Sequence, residues 1–109
     1  MQTDKILSMM GLARRAGRLY GGYDLACEKI REGQARLALA ASDISEKTFK
    51  NLRYAAEPRR IPAGRIEADM ETMGKACGIK AGVAVITDEG MAETVRQLMC
   101  QPSEGGERV

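Results

Sequence analysis

GGYDLACEKIREGQARLALAA, residues 21–41, contains the main elements of the fold in one short stretch. Two glycines lead into an amphipathic helical pattern, and Gly33 ends that helix. The apolar stripe of the helix consists of Tyr23, Cys27 and Ile30, with Ala26 beside it. Residues 36–41, RLALAA, have the continuous apolar character of a strand that is covered on both faces. The stretch therefore predicts a helix followed by a buried strand.

The same alternation continues on both sides of this stretch. Residues 3–17 have helical spacing, and residues 18–20 are a short candidate strand. Ser45 and Asp88 can each cap a further helix. A weak strand is predicted in 61–67, where Pro62 favours an edge position. It is followed by a helix with Met70, Met73 and Cys77 that ends at Gly78, and by a clear strand in 82–87. Such alternation predicts a small sheet with helices on both faces, an α/β/α sandwich.

The chain of 109 residues is expected to form one domain. No repeat or linker divides it, so we predict a domain at residues 1–99 and a flexible tail at residues 100–109, CQPSEGGERV, which has no period. No apolar run approaches the ~20 residues of a membrane span, and the start lacks the features of a signal peptide. The sequence therefore predicts a cytoplasmic protein.

Charge is unevenly distributed along the chain. Residues 1–66 hold 13 Lys and Arg against 7 Asp and Glu, a net charge of +6, whereas residues 67–109 have a net charge of −4. A basic first part favours a partner such as nucleic acid. Solvated faces of mixed sign are an equally good interpretation of charge alone.

Composition argues against an enzyme and against a metal site. The chain has no histidine, and its three cysteines, Cys27, Cys77 and Cys100, have no paired spacing. The segment MGKACG resembles the end of a phosphate-binding loop, but Asp69 and Ala76 stand where that motif needs Gly and Ser or Thr. We therefore expect no catalysis, no cofactor and no metal.

The glycine pair before the second helix has two interpretations. A helix start offers unpaired backbone N–H groups, and glycine ahead of it lets a ligand approach closely. Alternatively, Gly22 only makes the turn, and Asp24 caps the helix.

A family resemblance favours the first interpretation. In order along the chain, the sequence has an AxRAGxL opening, Gly-Tyr before the helix, IRxG closing it, an xxDxS strand end and a GKAxG segment. Together these motifs, over residues 4 to about 99, resemble the kink-turn RNA-binding superfamily of ribosomal proteins L7Ae and L30e, in particular its bacterial YlxQ-type members. The resemblance implies a four-stranded mixed sheet between helices and binding to sharply bent RNA.

In that family, the RNA surface combines the start of the second helix with the loop before the last strand. Carried over to this sequence, the helix start comprises Gly22, Tyr23, Asp24, Leu25 and Glu28, and the loop comprises Gly78, Ile79, Lys80, Ala81 and Gly82. Apolar loop residues can support an extruded base, while the helix start meets base edges and phosphate.

Three positions depart from the family pattern G-x-N-E-x-x-K and its Lys-Gln version. Asp24 replaces Asn or Lys, Leu25 replaces Glu or Gln, and Glu28 replaces Lys. Leu25 cannot form hydrogen bonds and Glu28 repels phosphate, so a standard kink-turn should be bound weakly.

The sequence thus predicts a non-catalytic RNA-binding protein tied to ribosomes or translation. Arg14, Arg15 and Arg18 lead towards the glycine pair and are expected to supply positive charge, with Lys29 and Arg36 as weaker candidates. The alternative is a protein-interaction adaptor that has the same fold but little RNA binding.

Overall fold

The computed structural model describes residues 1–101, and within them helices and strands alternate as predicted. The elements are α1 (Thr3–Arg15), β1 (Leu19–Gly21), α2 (Tyr23–Arg31), β2 (Leu37–Ala40), α3 (Glu46–Ala56), β3 (Ala63–Arg65), α4 (Met70–Cys77), β4 (Val83–Ile86) and α5 (Glu89–Cys100). A single 3-10 turn, Glu57–Arg59, follows α3. Most of the expected tail, residues 102–109, lies outside the described residues.

The four strands form one mixed sheet in the order β1-β4-β2-β3. Strand β4 is antiparallel to both of its neighbours, and β2 and β3 are parallel. The position of β3 at an edge agrees with the expectation from Pro62. The central strands β2 and β4 are buried along their whole length, which confirms that continuous apolar runs mark the middle of this sheet.

Side chains alternate between the two faces of the sheet and create two cores. Leu37 and Leu39 of β2 pack on the face covered by α1, α4 and α5. Ala38 and Ala40 pack on the other face, which α2 and α3 cover. The α/β/α sandwich is therefore confirmed, and its α2–α3 side is built largely from small residues that bring those helices close to the strands.

Helix α2 faces the core with two members of the predicted apolar group. Ala26 and Ile30 are its buried residues, whereas Cys27 is half-buried and Tyr23 is 36% exposed. Tyr23, at the start of the helix, therefore lies at the surface of the protein.

None of the helices within residues 1–101 combines the length and apolar character needed to cross a bilayer.

Candidate functional site

The start of α2 is built around the backbone of Gly22. This residue has φ 111° and ψ 143°, a conformation that residues with a Cβ rarely adopt. Its N–H donates to the carbonyl of Val83 (2.8 Å), and its carbonyl accepts the N–H of Ala26 (2.8 Å). Among the described residues, no side chain caps this helix. The interpretation of Asp24 as the cap was therefore wrong.

An uncapped helix start leaves backbone donors for another partner. The N–H groups of Tyr23, Asp24 and Leu25 belong to the first turn, where no intrahelical acceptor exists. The helix dipole adds a partial positive charge there, which the carboxylate of Asp24 partly offsets. Tyr23 and Leu25 are each 36% exposed, so the donors lie beside apolar surface that a flat ligand can cover.

The structure brings the start of α2 and the loop at residues 78–82 together, although they are distant in sequence. A Cβ built on Gly21 would lie only 2.9–3.0 Å from the side chain of Ile79, so the strand end rests directly on this loop residue. Backbone hydrogen bonds fix the end of the loop on both sides. The N–H of Gly22 donates to the carbonyl of Val83, and the N–H of Ala41 donates to the carbonyl of Gly82. These contacts form one continuous surface.

Each loop residue contributes differently to that surface. Ile79 is only 8% exposed, because its side chain supports Gly21 from beneath. Lys80 is exposed and Ala81 is half-buried. Gly78 has φ 73° and ends α4 in the left-handed conformation that favours glycine. The residues best placed to meet a ligand are therefore Lys80 and Ala81, with Ile79 in a supporting position.

Three residues that hold this surface in place were not among the predicted site residues. Ile44 packs so closely on Gly82 that a Cβ there would overlap its side chain. The carboxylate of Asp43 accepts the N–H of Met70 (2.9 Å) at the start of α4. Arg65 donates to the carbonyls of Ala41, Ser42 and Ile44 at 2.7–3.2 Å and so fixes the β2–α3 connection. Only Asp43 belonged to a recognised motif, the xxDxS strand end.

Charges around the helix start are mixed. Asp24 and Glu28 are exposed on α2, and Lys80 is exposed on the loop. The pKa of Tyr23 is raised, chiefly by burial and then by the side chain of Cys27 and the charge of Asp24. The phenol therefore stays protonated at neutral pH and can donate a hydrogen bond. The surface is a polar and apolar mosaic rather than a strongly positive patch.

The predicted arginines lie at two different places. Arg15 lies near Ala76 in the last turn of α4, and Arg14 is close enough to Cys77 to counteract the rise in that thiol's pKa caused by burial. Both arginines therefore flank the helix that leads into the loop. Arg18 accepts the N–H of Thr87 through its carbonyl, at the other end of β1. Three strand residues, or about 10 Å, separate it from the glycine turn.

The two weaker candidates lie at the opposite end of α2. Lys29 has its Nζ 4.5 Å from the ring centroid of Tyr20 and 3.5 Å from Glu32. Arg36 donates to the carbonyl of Gly33 (3.2 Å). These side chains have partners within the fold, so they are poorer candidates for binding a ligand at the helix start.

Relatives of known sequence cover most of the chain. The RNA-binding protein YlxQ of Bacillus subtilis (strain 168) is 32% identical over 92 residues, which are 84% of this chain and 91% of that protein. The RNA-binding protein YlxQ of Enterococcus faecium is 30% identical over 95 residues, covering 87% of this chain and 91% of the relative.

Solved structures have the same architecture. A protein of unknown function from Bacillus halodurans C superimposes with a TM-score of 0.84 at 28% identity, covering 89% of this chain and 98% of that one. The Giardia lamblia 15.5kD RNA binding protein superimposes with a TM-score of 0.71 at 20% identity, covering 86% and 81%. At that identity the second similarity concerns the fold alone. Because the family's sequence pattern also matches residues 4–96, the chain belongs to the ribosomal protein L7Ae/L30e/S12e/Gadd45 family.

Proposed function

We propose that this protein binds structured RNA, without catalysis, through the start of α2 and the loop before β4. The observation that carries the proposal is the uncapped helix start at Gly22, joined to residues 78–82 by the contact of Gly21 with Ile79 and the hydrogen bond to Val83. The relatives named RNA-binding protein YlxQ support the same class of ligand.

The chemistry of the surface suits an RNA with exposed bases. Backbone N–H groups at residues 23–25 can donate to phosphate or to base acceptors, and the Asp24 carboxylate can accept from the amino group of guanine or cytosine. Ala81, with Ile79 beneath, offers an apolar support for an unstacked base, and Lys80 can meet a phosphate. Sequence-specific RNA recognition generally uses such unstacked bases.

The kind of RNA is a finer part of the proposal. Leu25 offers no hydrogen bond and Glu28 repels phosphate, so we expect a simple kink-turn to be bound weakly and a different bent RNA to be preferred. The family's description as ribosomal proteins supports an association with ribosomes or translation, and hence action in the cytoplasm.

A protein-interaction adaptor is the second candidate. Two carboxylates, Asp24 and Glu28, lie on the same helix start as the exposed Leu25. Carboxylates and an exposed leucine suit a basic, partly apolar protein segment better than they suit a phosphate backbone.

Salt-dependent binding separates the two candidates. Fluorescence anisotropy with a panel of structured RNAs should give an affinity that falls steeply with salt, because each neutralised phosphate releases counterions. Reversing the charges of Arg14, Arg15 and Arg18 to Glu should weaken binding to all members of the panel alike. Reversing Lys5, Arg31 and Arg96 to Glu, at exposed positions on α1, the last turn of α2 and α5, makes the same change in net charge; it is the control and should have a smaller effect. No detectable binding of structured RNA at low salt would contradict the proposal and favour the adaptor.

A further inference from the structure

The exposed face of α3 has the composition of a second RNA-binding surface. Lys47, Lys50 and Arg53 follow one another at three-residue intervals, and Tyr54 stands beside them. All four line one shallow groove of about 550 Å³ on the surface of α3. A row of cations with an exposed aromatic ring is the combination that binds the backbone and bases of single-stranded nucleic acids.

The two lysines and the tyrosine on this face are available to a ligand, whereas the guanidinium of Arg53 lies 5.8 Å from the ring centroid of Phe49. Within residues 1–101, neither Lys47 nor Lys50 has an ion-pair partner. Tyr54 is 67% exposed, more than any other large apolar side chain of that part of the chain. The ring has no structural role that would explain its position, since the core of this layer is filled by Leu52 and Ala56 from the same helix.

Acidic residues stand only at the two ends of the groove. Glu46 at the first end is engaged by the guanidinium of Arg65, with an N–O distance of 3.4 Å. Glu57 stands at the other end. The middle of the groove is therefore positive, which is the charge that a phosphate backbone requires.

The start of α3 lies next to the candidate site. Ile44, one residue before the cap of α3, packs on Gly82 at the end of the loop. From there the 11 residues of α3 extend the surface by about 16 Å. A nucleic-acid strand that leaves the loop is therefore close to the start of α3.

We infer that the α3 face, defined by Lys47, Lys50, Arg53 and Tyr54, holds a single-stranded RNA segment that continues from the RNA bound at the start of α2. The phosphates lie along the two lysines and the arginine, and one base stacks on Tyr54. This inference rests on the proposed function. An acidic protein segment would also match the cations, but the exposed ring and the proximity of the start of α3 to the loop favour RNA.

The test uses the structured RNA that binds most tightly in the panel, prepared with and without a ten-nucleotide single-stranded uridine extension at either end. Lys47→Gln with Lys50→Gln should weaken binding of the extended RNA about tenfold and reduce the slope of log K against log salt by about 1.4, since each single-strand phosphate contact contributes about 0.7. Binding of the unextended RNA should change little. Lys5→Gln with Arg96→Gln removes the same charge from exposed positions on α1 and α5, in the other helical layer, and is the control.

Tyr54 provides a second readout that does not depend on charge. Tyr54→Ala should weaken binding of the extended RNA about fivefold, and Tyr54→Phe should restore it, because the stacking face is retained. Thermal melting should be unchanged in all these variants, since the substituted side chains are exposed.

The possible outcomes separate this inference from the proposed function. Wild-type binding of the extended RNA that is insensitive to the α3 variants, or no more sensitive than to the control, would overturn the inference and leave the proposed function standing. Loss of binding to a polyglutamate peptide instead of RNA in the α3 variants would assign the face to an acidic protein. Absence of RNA binding by the wild type would overturn both.

Discussion

Of the five helices within residues 1–101, α3, α4 and α5 begin at a side-chain cap, whereas α1 and α2 begin without one. Ser45, Asp69 and Asp88 each accept a backbone N–H of the helix that follows, from Thr48, Thr72 and Met91 at 2.8–3.1 Å. Gly22 has no side chain to offer and is fixed by its own N–H to Val83. The capped starts satisfy their donors within the fold, which stabilises the helix. At α2 those donors are left for an external partner, and the loop beside them completes the surface.

Blocking the uncapped start of α2 with a side chain should have the largest effect on RNA affinity. A side chain at Gly22 points into open space, since a Cβ there meets nothing within 4 Å, so Gly22→Val should intrude on bound RNA and lower its affinity at least tenfold, or about 1.4 kcal/mol. The positive φ adds a stability cost of about 1–3 kcal/mol. Anisotropy on the fraction that melting curves show to be folded measures the effect.

The matched control lies at the other end of the same helix. Gly33 also has a positive φ, 76°, with nothing within 4 Å of an added Cβ. Gly33→Val should therefore cost stability without lowering RNA affinity. Equal RNA affinity of the folded Gly22 and Gly33 variants would mean that the glycine pair only forms a turn and does not contact RNA.

Substituting side chains in the first turns of α2 should have a somewhat smaller effect on RNA affinity. Leu25→Glu combined with Glu28→Lys restores the family pattern at two positions and should improve binding of a simple kink-turn about fivefold, roughly 1 kcal/mol. Each single variant serves as the control for additivity. Tight binding of that RNA by the wild type would mean that Leu25 and Glu28 do not weaken kink-turn binding, contrary to what the family pattern implies.

Removing the side-chain cap of α3 should lower the stability of the protein and leave binding of structured RNA unchanged. Ser45→Ala removes the acceptor for the N–H of Thr48 and should cost about 1 kcal/mol, measured by chemical denaturation. The affinity of the folded protein for structured RNA without a single-stranded extension should stay the same, because the Ser45 hydroxyl accepts from Thr48 within its own helix. A loss of affinity without a loss of stability would place Ser45 in the binding surface.

Protonating Asp69, the cap of α4, should have the smallest effect on stability. Hydrogen bonds from Thr72 lower the pKa of Asp69 below its ordinary value of 3.8. A lowered carboxyl pKa contributes stability above the unfolded pKa, and this contribution is lost as the pH falls through the folded pKa. Asp69→Asn retains the cap but cannot titrate, so its melting temperature should fall less than that of the wild type between about pH 5 and pH 2. Identical acid dependence would mean that the carboxylate contributes nothing.

Much of the fold follows from local patterns in the sequence. The apolar runs around Leu39 and Val85 predicted the two central strands, and Ser45 and Asp88 were correctly identified as caps. These features depend on neighbouring residues only, which is why they can be read directly. Asp69 was noticed only as a departure from a phosphate-loop motif, although it caps α4.

The assembly of the candidate site could be predicted only through the family resemblance. Ile79 under Gly21, and Ile44 on Gly82, are contacts between distant segments that no periodicity encodes. The site residues therefore stay predictions until binding is measured.

The most direct test of the central claim is to follow the backbone amide signals of the ¹⁵N-labelled protein by NMR while structured RNA is added. The uncapped start of α2 and the loop beside it should respond together, so the amides of Tyr23, Asp24, Leu25, Lys80 and Ala81 should shift or broaden first. The capped starts of α4 and α5 should be unaffected. Shifts confined to α4 and α5, with the amides of residues 23–25 unchanged, would contradict the account and move the binding face elsewhere.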